Sequence, residues 1–151
     1  MNKKIGIKIL IMGLPGSGKT TLSKKLVHLT NSVWLNADAI RKESNDWDFS
    51  PQGRIRQANR MKKKAQSYIN DQKNIIADFV CPTKKTRTDF NSDYTVWMDT
   101  INEGRFDDTN KMFEKPNSDE VDYIVKTKEA DVHSKIIYEQ LKKIFSSLKF
   151  E

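Results

Sequence analysis

Five short apolar segments, separated by longer polar ones, dominate the pattern of this chain. They are rich in β-branched and aromatic residues and cover residues 5–12, 32–35, 74–80, 94–98 and 121–125. Such runs predict buried strands. Elsewhere apolar residues recur at helical spacing, which predicts helices over 18–29, about 51–71 and 129 to about 150. Shorter helices are expected after the second and third strands.

The alternation of strands and helices predicts an α/β architecture. Strands that are joined by helices run parallel, with right-handed crossovers. We therefore expect a three-layer α/β/α sandwich around a mostly parallel five-stranded sheet. The 151 residues fit a single domain over 1–151.

Composition and charge narrow the class of protein. Hydrophobic residues make up 36% and charged residues 31% of the chain, and the formal net charge is +7. The charge favours anionic partners, and no apolar run is long enough to span a membrane. The apolar N-terminal run is expected to be the first strand and not a signal peptide. Cys81 is the single cysteine, which rules out an intramolecular disulfide and suggests the cytoplasm.

A glycine-rich segment between the first strand and the first helix carries the clearest motif. Residues 13–20 match G-x-x-x-x-G-K-[ST], the phosphate-binding P-loop, in the strand–loop–helix setting that this motif needs. A chance glycine-rich turn is the alternative. The motif predicts a fold of the P-loop NTPase or kinase type, with ATP and Mg²⁺ as cofactors. The expected nucleotide-binding residues are Gly13, Leu14, Pro15, Gly16, Ser17, Gly18, Lys19, Thr20 and Thr21.

Three residues near this loop are candidates for charge and metal chemistry. Lys19 is expected to reach the β- and γ-phosphates and to act in catalysis, and the Thr20 hydroxyl to ligate Mg²⁺. Asp78 ends the third apolar run, as in many strands that hold Mg²⁺, so it is a second metal candidate. A surface or loop aspartate is the alternative interpretation of Asp78.

Asp38 and Arg41 follow the second strand. Side chains at the carboxyl end of a parallel strand lie on the rim where α/β proteins bind ligands. Asp38 also suits the N-cap of a short helix, and capping alone is the alternative to a catalytic role. Arg41 comes one turn later, so both side chains can face one cleft. An acid suits an acceptor hydroxyl, and a guanidinium suits an anion.

The order of the segments GLPGSGKTTL, LNADAIR, FSPQGRIRQANR and DFVCP resembles the adenylylsulfate (APS) kinase family over about the first ninety residues. The resemblance implies that Asp38 is the catalytic acid. It also implies that Arg41 and Arg54 hold the substrate anion and that Phe49 stacks on the APS adenine. Further substrate-binding positions implied by the family are Gln57, Phe79, Val80, Cys81 and Pro82.

The chain also departs from the pattern of that family. Asn36 stands where the family has an acid, and Asp78 where it has a small hydroxyl residue. The long basic lid of the family is reduced to about residues 101–116. Within this short lid, Arg105 and Lys111 are the candidate cations for the transferring phosphoryl group, with solvated surface charge as the alternative.

These observations favour an ATP-dependent kinase that phosphorylates the 3′-hydroxyl of APS to give PAPS. Its expected partner is therefore a small anionic, nucleotide-like acceptor, with neither a membrane nor nucleic acid expected. Three alternatives stay open: a kinase of the same fold for another nucleotide-like or sugar alcohol, a nucleic-acid 5′-hydroxyl kinase, and a non-enzymatic nucleotide-binding module. The sequence leaves open whether the chain forms a homodimer.

Overall fold

The computed structural model describes residues 6–145 and contains one five-stranded sheet. Its strands are β1 Lys8–Met12, β2 Val33–Asn36, β3 Ile75–Asp78, β4 Tyr94–Met98 and β5 Tyr123–Val125. They are ordered β2-β3-β1-β4-β5, and every neighbouring pair is parallel. The predicted parallel five-stranded sheet is thus confirmed.

Six α-helices connect and cover the strands in the described part of the chain. They are α1 Lys19–Thr30, α2 Ala37–Ser44, α3 Pro51–Asn70, α4 Lys84–Phe90, α5 Asp107–Met112 and α6 Ala130–Ile144. A 3₁₀ turn at Ser118–Glu120 precedes β5. The sequence did not predict α5. The first strand, predicted over 5–12, begins at Lys8: residues 6 and 7 precede it, and residue 5 lies outside the described residues. The last helix, predicted to reach about 150, is α6 Ala130–Ile144, and residues 146–150 also lie outside the described residues.

Two apolar clusters, one on each face of the sheet, form the core. One joins the sheet to α1 and α6 and includes Leu22, Leu26, Ile137 and Leu141. The other joins it to α2, α3 and α4 and includes Ile40, Met61, Ala65 and Phe90. Helices therefore cover both faces, as expected for a parallel sheet whose strands are apolar throughout. This is the predicted α/β/α sandwich.

The carboxyl ends of the strands share one edge of the sheet, because all five are parallel. β1 is buried along its length and leads directly into the P-loop segment. β2 and β3 end beside each other at Asn36 and Asp78, which are paired in register. The P-loop and the polar ends of its neighbouring strands are therefore brought together.

Local sequence fixes the start of α2, where the structure corrects one expectation. The N-cap is Asn36 and not Asp38: the Asn36 side-chain oxygen accepts a hydrogen bond from the Ala39 backbone N–H at 3.0 Å. An asparagine in extended conformation satisfies a helix-terminal N–H in this way. Asp38 lies in the first turn instead, with its side chain exposed.

The start of α3 depends on a close approach at Gly53. Ser50 caps the helix and Pro51 occupies its first turn. A Cβ on Gly53 would lie 2.0 Å from the Asp48 carbonyl oxygen. The absence of a side chain therefore lets the 46–50 loop, which carries Phe49, pack onto α3.

Candidate functional site

A large cleft of about 1590 Å³ opens at the carboxyl ends of the strands. Its walls include Asp38, Asp78 and the outer part of the P-loop, from Pro15 to Thr21 except Ser17. Gly13, Leu14 and Ser17 lie buried behind that surface. The cleft also contains all the remaining predicted positions: Arg41, Phe49, Arg54, Gln57, Phe79, Val80, Cys81, Pro82, Arg105 and Lys111.

The P-loop turns its lysine back onto its own backbone. Lys19 Nζ donates to the carbonyl oxygens of Gly13 and Leu14 at 2.9 and 3.0 Å. Burial lowers the pKa of Lys19 to about 8, against the opposing attraction of Asp78 and Asp38. The Lys19 ammonium is thus partly desolvated and free of any ion pair among the described residues, as suits a group that binds phosphate.

Two carboxylates flank the cleft near the P-loop. Asp38 is exposed, whereas Asp78 is only 2% exposed and lines the same cleft. Burial raises the pKa of Asp78, and hydrogen bonds from Trp34 and Asn36 oppose that rise. The interpretation of Asp78 as a surface or loop residue is therefore wrong: it is the buried last residue of β3.

Further along the cleft, two buried arginines share one aromatic ring. The guanidinium carbons of Arg41 and Arg54 lie 4.4 and 4.9 Å from the centre of the Phe49 ring. The two residues are 2% and 9% exposed, and among the described residues neither pairs with a carboxylate. Burial, reinforced by repulsion from Arg41, lowers the pKa of Arg54 to about 10. Asp46, Asp38 and Asp48 attract Arg41 electrostatically but form no direct ion pair with it, so the pair places two buried positive charges next to an exposed ring.

Part of the hydrogen-bonding capacity of this pair is unused. Arg41 Nη1 donates to the carbonyl oxygens of Asp46 and Asp48, and Arg54 Nη2 donates to Thr109 Oγ1 at 2.6 Å. Arg41 Nη2 and Arg54 Nε are buried without a hydrogen-bond partner in the described structure. Buried donors of this kind are costly unless a ligand satisfies them.

The segment 101–116, predicted to be a short lid, contacts both halves of the cleft. The Phe106 ring lies parallel to Phe49, with 6.4 Å between the ring centres and 8° between the planes. A Cβ on Gly104 would lie 3.0 Å from the Pro15 carbonyl oxygen of the P-loop. Sequence reasoning missed Phe106 and Thr109, because α5 is polar and too short for a helical pattern.

Gln57 and the segment after β3 serve the framework of the cleft. Gln57 donates to the Ala37 carbonyl oxygen and accepts two hydrogen bonds from Arg60, so its amide is engaged within the protein. Phe79 and Cys81 belong to the core cluster below α3 although they line the cleft. Burial raises the pKa of the Cys81 thiol to about 12, which makes it a poor nucleophile.

A smaller cavity of about 110 Å³ adjoins the start of α1 on the other side of the P-loop. Met98 and Val125 supply apolar walls, and Thr127 and His133 supply polar groups. Nearby, Lys128 Nζ donates to the Gly16 carbonyl oxygen of the P-loop at 2.9 Å. The sequence pattern drew attention neither to this cavity nor to Lys128.

The part of the chain that the structure describes lacks two other kinds of feature. Within residues 6–145 no three His, Cys, Asp or Glu side chains cluster as a metal site. None of the helices described here is long and apolar enough to cross a membrane.

The sequence matches the model of one known protein family. Residues 9–92, more than half of the sequence, match the model of the AAA domain family. The chain belongs to the AAA domain family. No curated protein matches this AAA domain at a significant level.

Solved structures share the fold of this AAA domain at low sequence identity. The crystal structure of APE1195 is 20% identical, with a TM-score of 0.79 over 94% of this chain and 98% of that one. The Mycobacterium tuberculosis APS kinase CysC, in complex with AMPPNP and APS, is 16% identical, with a TM-score of 0.76 over 91% and 98%. Shikimate kinase from Acinetobacter baumannii is 18% identical, with a TM-score of 0.60 over 97% of both chains. The chain thus shares its overall fold with these three structures.

The pKa of Lys19 predicts how phosphate binding by this AAA domain depends on pH. Below pH 8 the free protein carries a charged Lys19, and above it the charge is lost. We expect the affinity for ADP to fall by up to about tenfold per pH unit above that pKa, since one proton is then taken up on binding. Calorimetric titration between about pH 7 and about pH 9.5 measures this.

Lys19→Arg is the matched control, because a guanidinium stays charged over this range. Its ADP affinity is expected to change little with pH. If the ADP affinity of the wild type also changed little between these pH values, the role assigned to Lys19 would be contradicted.

Proposed function

We propose that this protein is an ATP-dependent kinase that phosphorylates the 3′-hydroxyl of APS or a closely similar anionic nucleotide. One observation carries the proposal: a buried, unpaired arginine pair beside an exposed aromatic ring lies in the same cleft as a P-loop lysine. The lysine provides for a phosphoryl donor. The arginines and the ring provide for an acceptor that has both an anion and a base.

The donor half would be formed by residues 13–21. Backbone N–H groups of the loop and the positive end of α1 favour a polyphosphate at this point. Lys19 would exchange its contacts with the Gly13 and Leu14 carbonyls for the β- and γ-phosphates. The small cavity beside Met98 and Val125 would take the base of ATP.

The residues near the P-loop also suit Mg²⁺. This ion binds hard oxygen ligands and usually keeps several waters, so one or two protein oxygens beside the phosphates suffice. The Thr20 hydroxyl and the Asp78 carboxylate line the cleft and would hold it. Bound there, Mg²⁺ would neutralise charge on the β- and γ-phosphates.

The acceptor half would be formed by the arginine pair and the two parallel rings. Phe49 and Phe106 are 46% and 51% exposed and offer flat faces for a purine. The unpartnered Arg41 Nη2 and Arg54 Nε would donate to the phosphosulfate group. Guanidinium groups are suited to this role because they donate to oxyanions in a fixed planar geometry.

The proposed reaction forms a bond between the acceptor oxygen and the γ-phosphorus. The bond from that phosphorus to the β,γ-bridging oxygen breaks, and ADP leaves. Asp38, exposed at the cleft, would orient the acceptor hydroxyl and take its proton. Lys19, Arg105 and Lys111 would stabilise the charge on the transferring group.

An acceptor panel tests the proposed function. Turnover would be measured with ATP and Mg²⁺ against APS, adenosine, shikimate, gluconate and a 5′-hydroxyl oligonucleotide. We expect the highest kcat/KM with APS. Asp38→Asn should lower kcat by about 100-fold or more with little change in KM, because a proton acceptor acts in the transition state.

Preference for the oligonucleotide, with activity that falls steeply as salt rises, would replace the proposal by a nucleic-acid kinase. Preference for shikimate or gluconate would replace the proposed APS kinase activity by that of a kinase for sugar-like alcohols. Turnover with none of the acceptors would contradict the proposed function.

The proposed acceptor site leads to a second prediction, which concerns KM for APS. Arg54→Lys and Phe49→Ala should each raise KM for APS about tenfold or more, a loss of roughly 1.4 kcal/mol, and leave KM for ATP nearly unchanged. Arg56→Lys is the matched control, since Arg56 lies on the same helix but pairs at the surface with Asp46 and Asp48. Equal APS KM values in Arg54→Lys and Arg56→Lys would remove Arg54 from the site.

A further inference from the structure

The ends of β2 and β3 hold a polar cluster formed by Trp34, Asn36 and Asp78. Trp34 and Asn36 are two residues apart on β2 and therefore face the same side of the sheet. Asn36 is paired in register with Asp78 on β3. Both side chains donate to the Asp78 carboxylate: Trp34 Nε1 lies 2.6 Å from Oδ2, and Asn36 Nδ2 lies 3.2 Å from Oδ2 and 3.4 Å from Oδ1.

We propose that Trp34 and Asn36 are positioning residues that orient the Asp78 carboxylate toward Mg²⁺ at the P-loop. The inference rests on the proposed function and deepens it. The terminal torsion of an aspartate is broad, so an unsupported carboxylate can rotate. Trp34 and Asn36 fix its plane from the β2 side, where the closer contact holds Oδ2, and the Ser23 side chain adds a further hydrogen bond.

The chemistry of Trp34 suits this role. An indole N–H only donates a hydrogen bond, so Trp34 can neither ligate a cation nor take a proton from Asp78. Oδ2 accepts this short bond, whereas Oδ1 has the longer contact with Asn36. The two donors on β2 thus leave more of the acceptor capacity of Oδ1 than of Oδ2 for a metal ion.

Asn36 connects Asp78 to the helix that carries Asp38. Its Nδ2 donates to Asp78, while its Oδ1 accepts the Ala39 N–H that begins α2. Both contacts require the same orientation of the amide. A carboxylate at position 36 would preserve the cap but would place a second negative charge within hydrogen-bond distance of Asp78. The amide therefore fixes the metal-site acid and the proposed catalytic acid relative to each other.

The indole signal of Trp34 provides a test that does not depend on activity. The chain has three tryptophans, Trp34, Trp47 and Trp97, so ¹⁵N-indole labelling gives three resonances. Spectra of Trp47→Phe and Trp97→Phe identify two of these resonances, so the third is assigned to Trp34 by elimination. The assignment therefore does not require that Trp34→Phe folds. We expect Mg²⁺ added to the ADP complex to shift the Trp34 resonance in the wild type and not in Asp78→Asn.

The affinity of the ADP complex for Mg²⁺ provides the second readout. Trp34→Phe should weaken it about tenfold, whereas Trp97→Phe, the same substitution on β4, should leave it within about twofold. Thermal unfolding of both variants checks that each is folded. A purely structural Trp34 would lower the melting temperature without changing Mg²⁺ affinity.

The outcomes separate the inference from the function on which it rests. Mg²⁺ binding that leaves the Trp34 resonance in place, or equal Mg²⁺ affinities in Trp34→Phe and Trp97→Phe, would overturn the inference alone. A wild-type protein that binds neither ADP nor Mg²⁺ would overturn the proposed function and the inference with it.

Discussion

The parallel arrangement of five buried strands is the constraint on which this site depends. Parallel strands end at a common edge, and here that edge collects the P-loop after β1 and the last residues of β2 and β3, Asn36 and Asp78. The connections after β4 and β5 add residues of the segment 105–112 and Lys128. Residues far apart in sequence thus reach one cleft without long loops.

The two ends of the cleft differ in their charge. At the P-loop end, Lys19 is attracted electrostatically by Asp78 and Asp38, so charges of both signs meet there. At the other end, Arg41 and Arg54 are buried together with no carboxylate partner among the described residues. Burying two like charges costs stability, and an anionic ligand is what would offset that cost. The segment 101–116 joins the two ends, because Gly104 packs near the P-loop and Phe106 packs against Phe49.

Much of the fold could be predicted from the sequence because strong local patterns agreed with the final packing. The β-branched runs became β1 to β5, and the P-loop motif lay between the strand and helix that its mechanism requires. The pattern does not predict α5, because the buried contact of this helix is long-range. Thr109 accepts a hydrogen bond from Arg54, which lies 55 residues earlier in the sequence. The predicted cap of α2 is Asp38, but Asn36, the residue just after the predicted strand, provides it.

Contacts across the sheet were the least predictable part of the site. Trp34 looked like an ordinary strand residue, and only the register between β2 and β3 places its indole N–H on Asp78. Phe106 is surrounded by polar residues in the sequence, so the local hydrophobic pattern does not predict that it stacks on Phe49. Long-range partners of this kind depend on topology, which periodicity does not encode.

The central claim is that one cleft holds a phosphoryl donor and an anionic acceptor side by side. A crystal structure of the protein with Mg²⁺, a non-hydrolysable ATP analogue and APS tests it most directly. The account predicts the phosphosulfate between Arg41 and Arg54, the purine on Phe49 and the 3′-hydroxyl facing Asp38. APS bound outside this cleft, or both arginines still without an anionic partner in the complex, would contradict it.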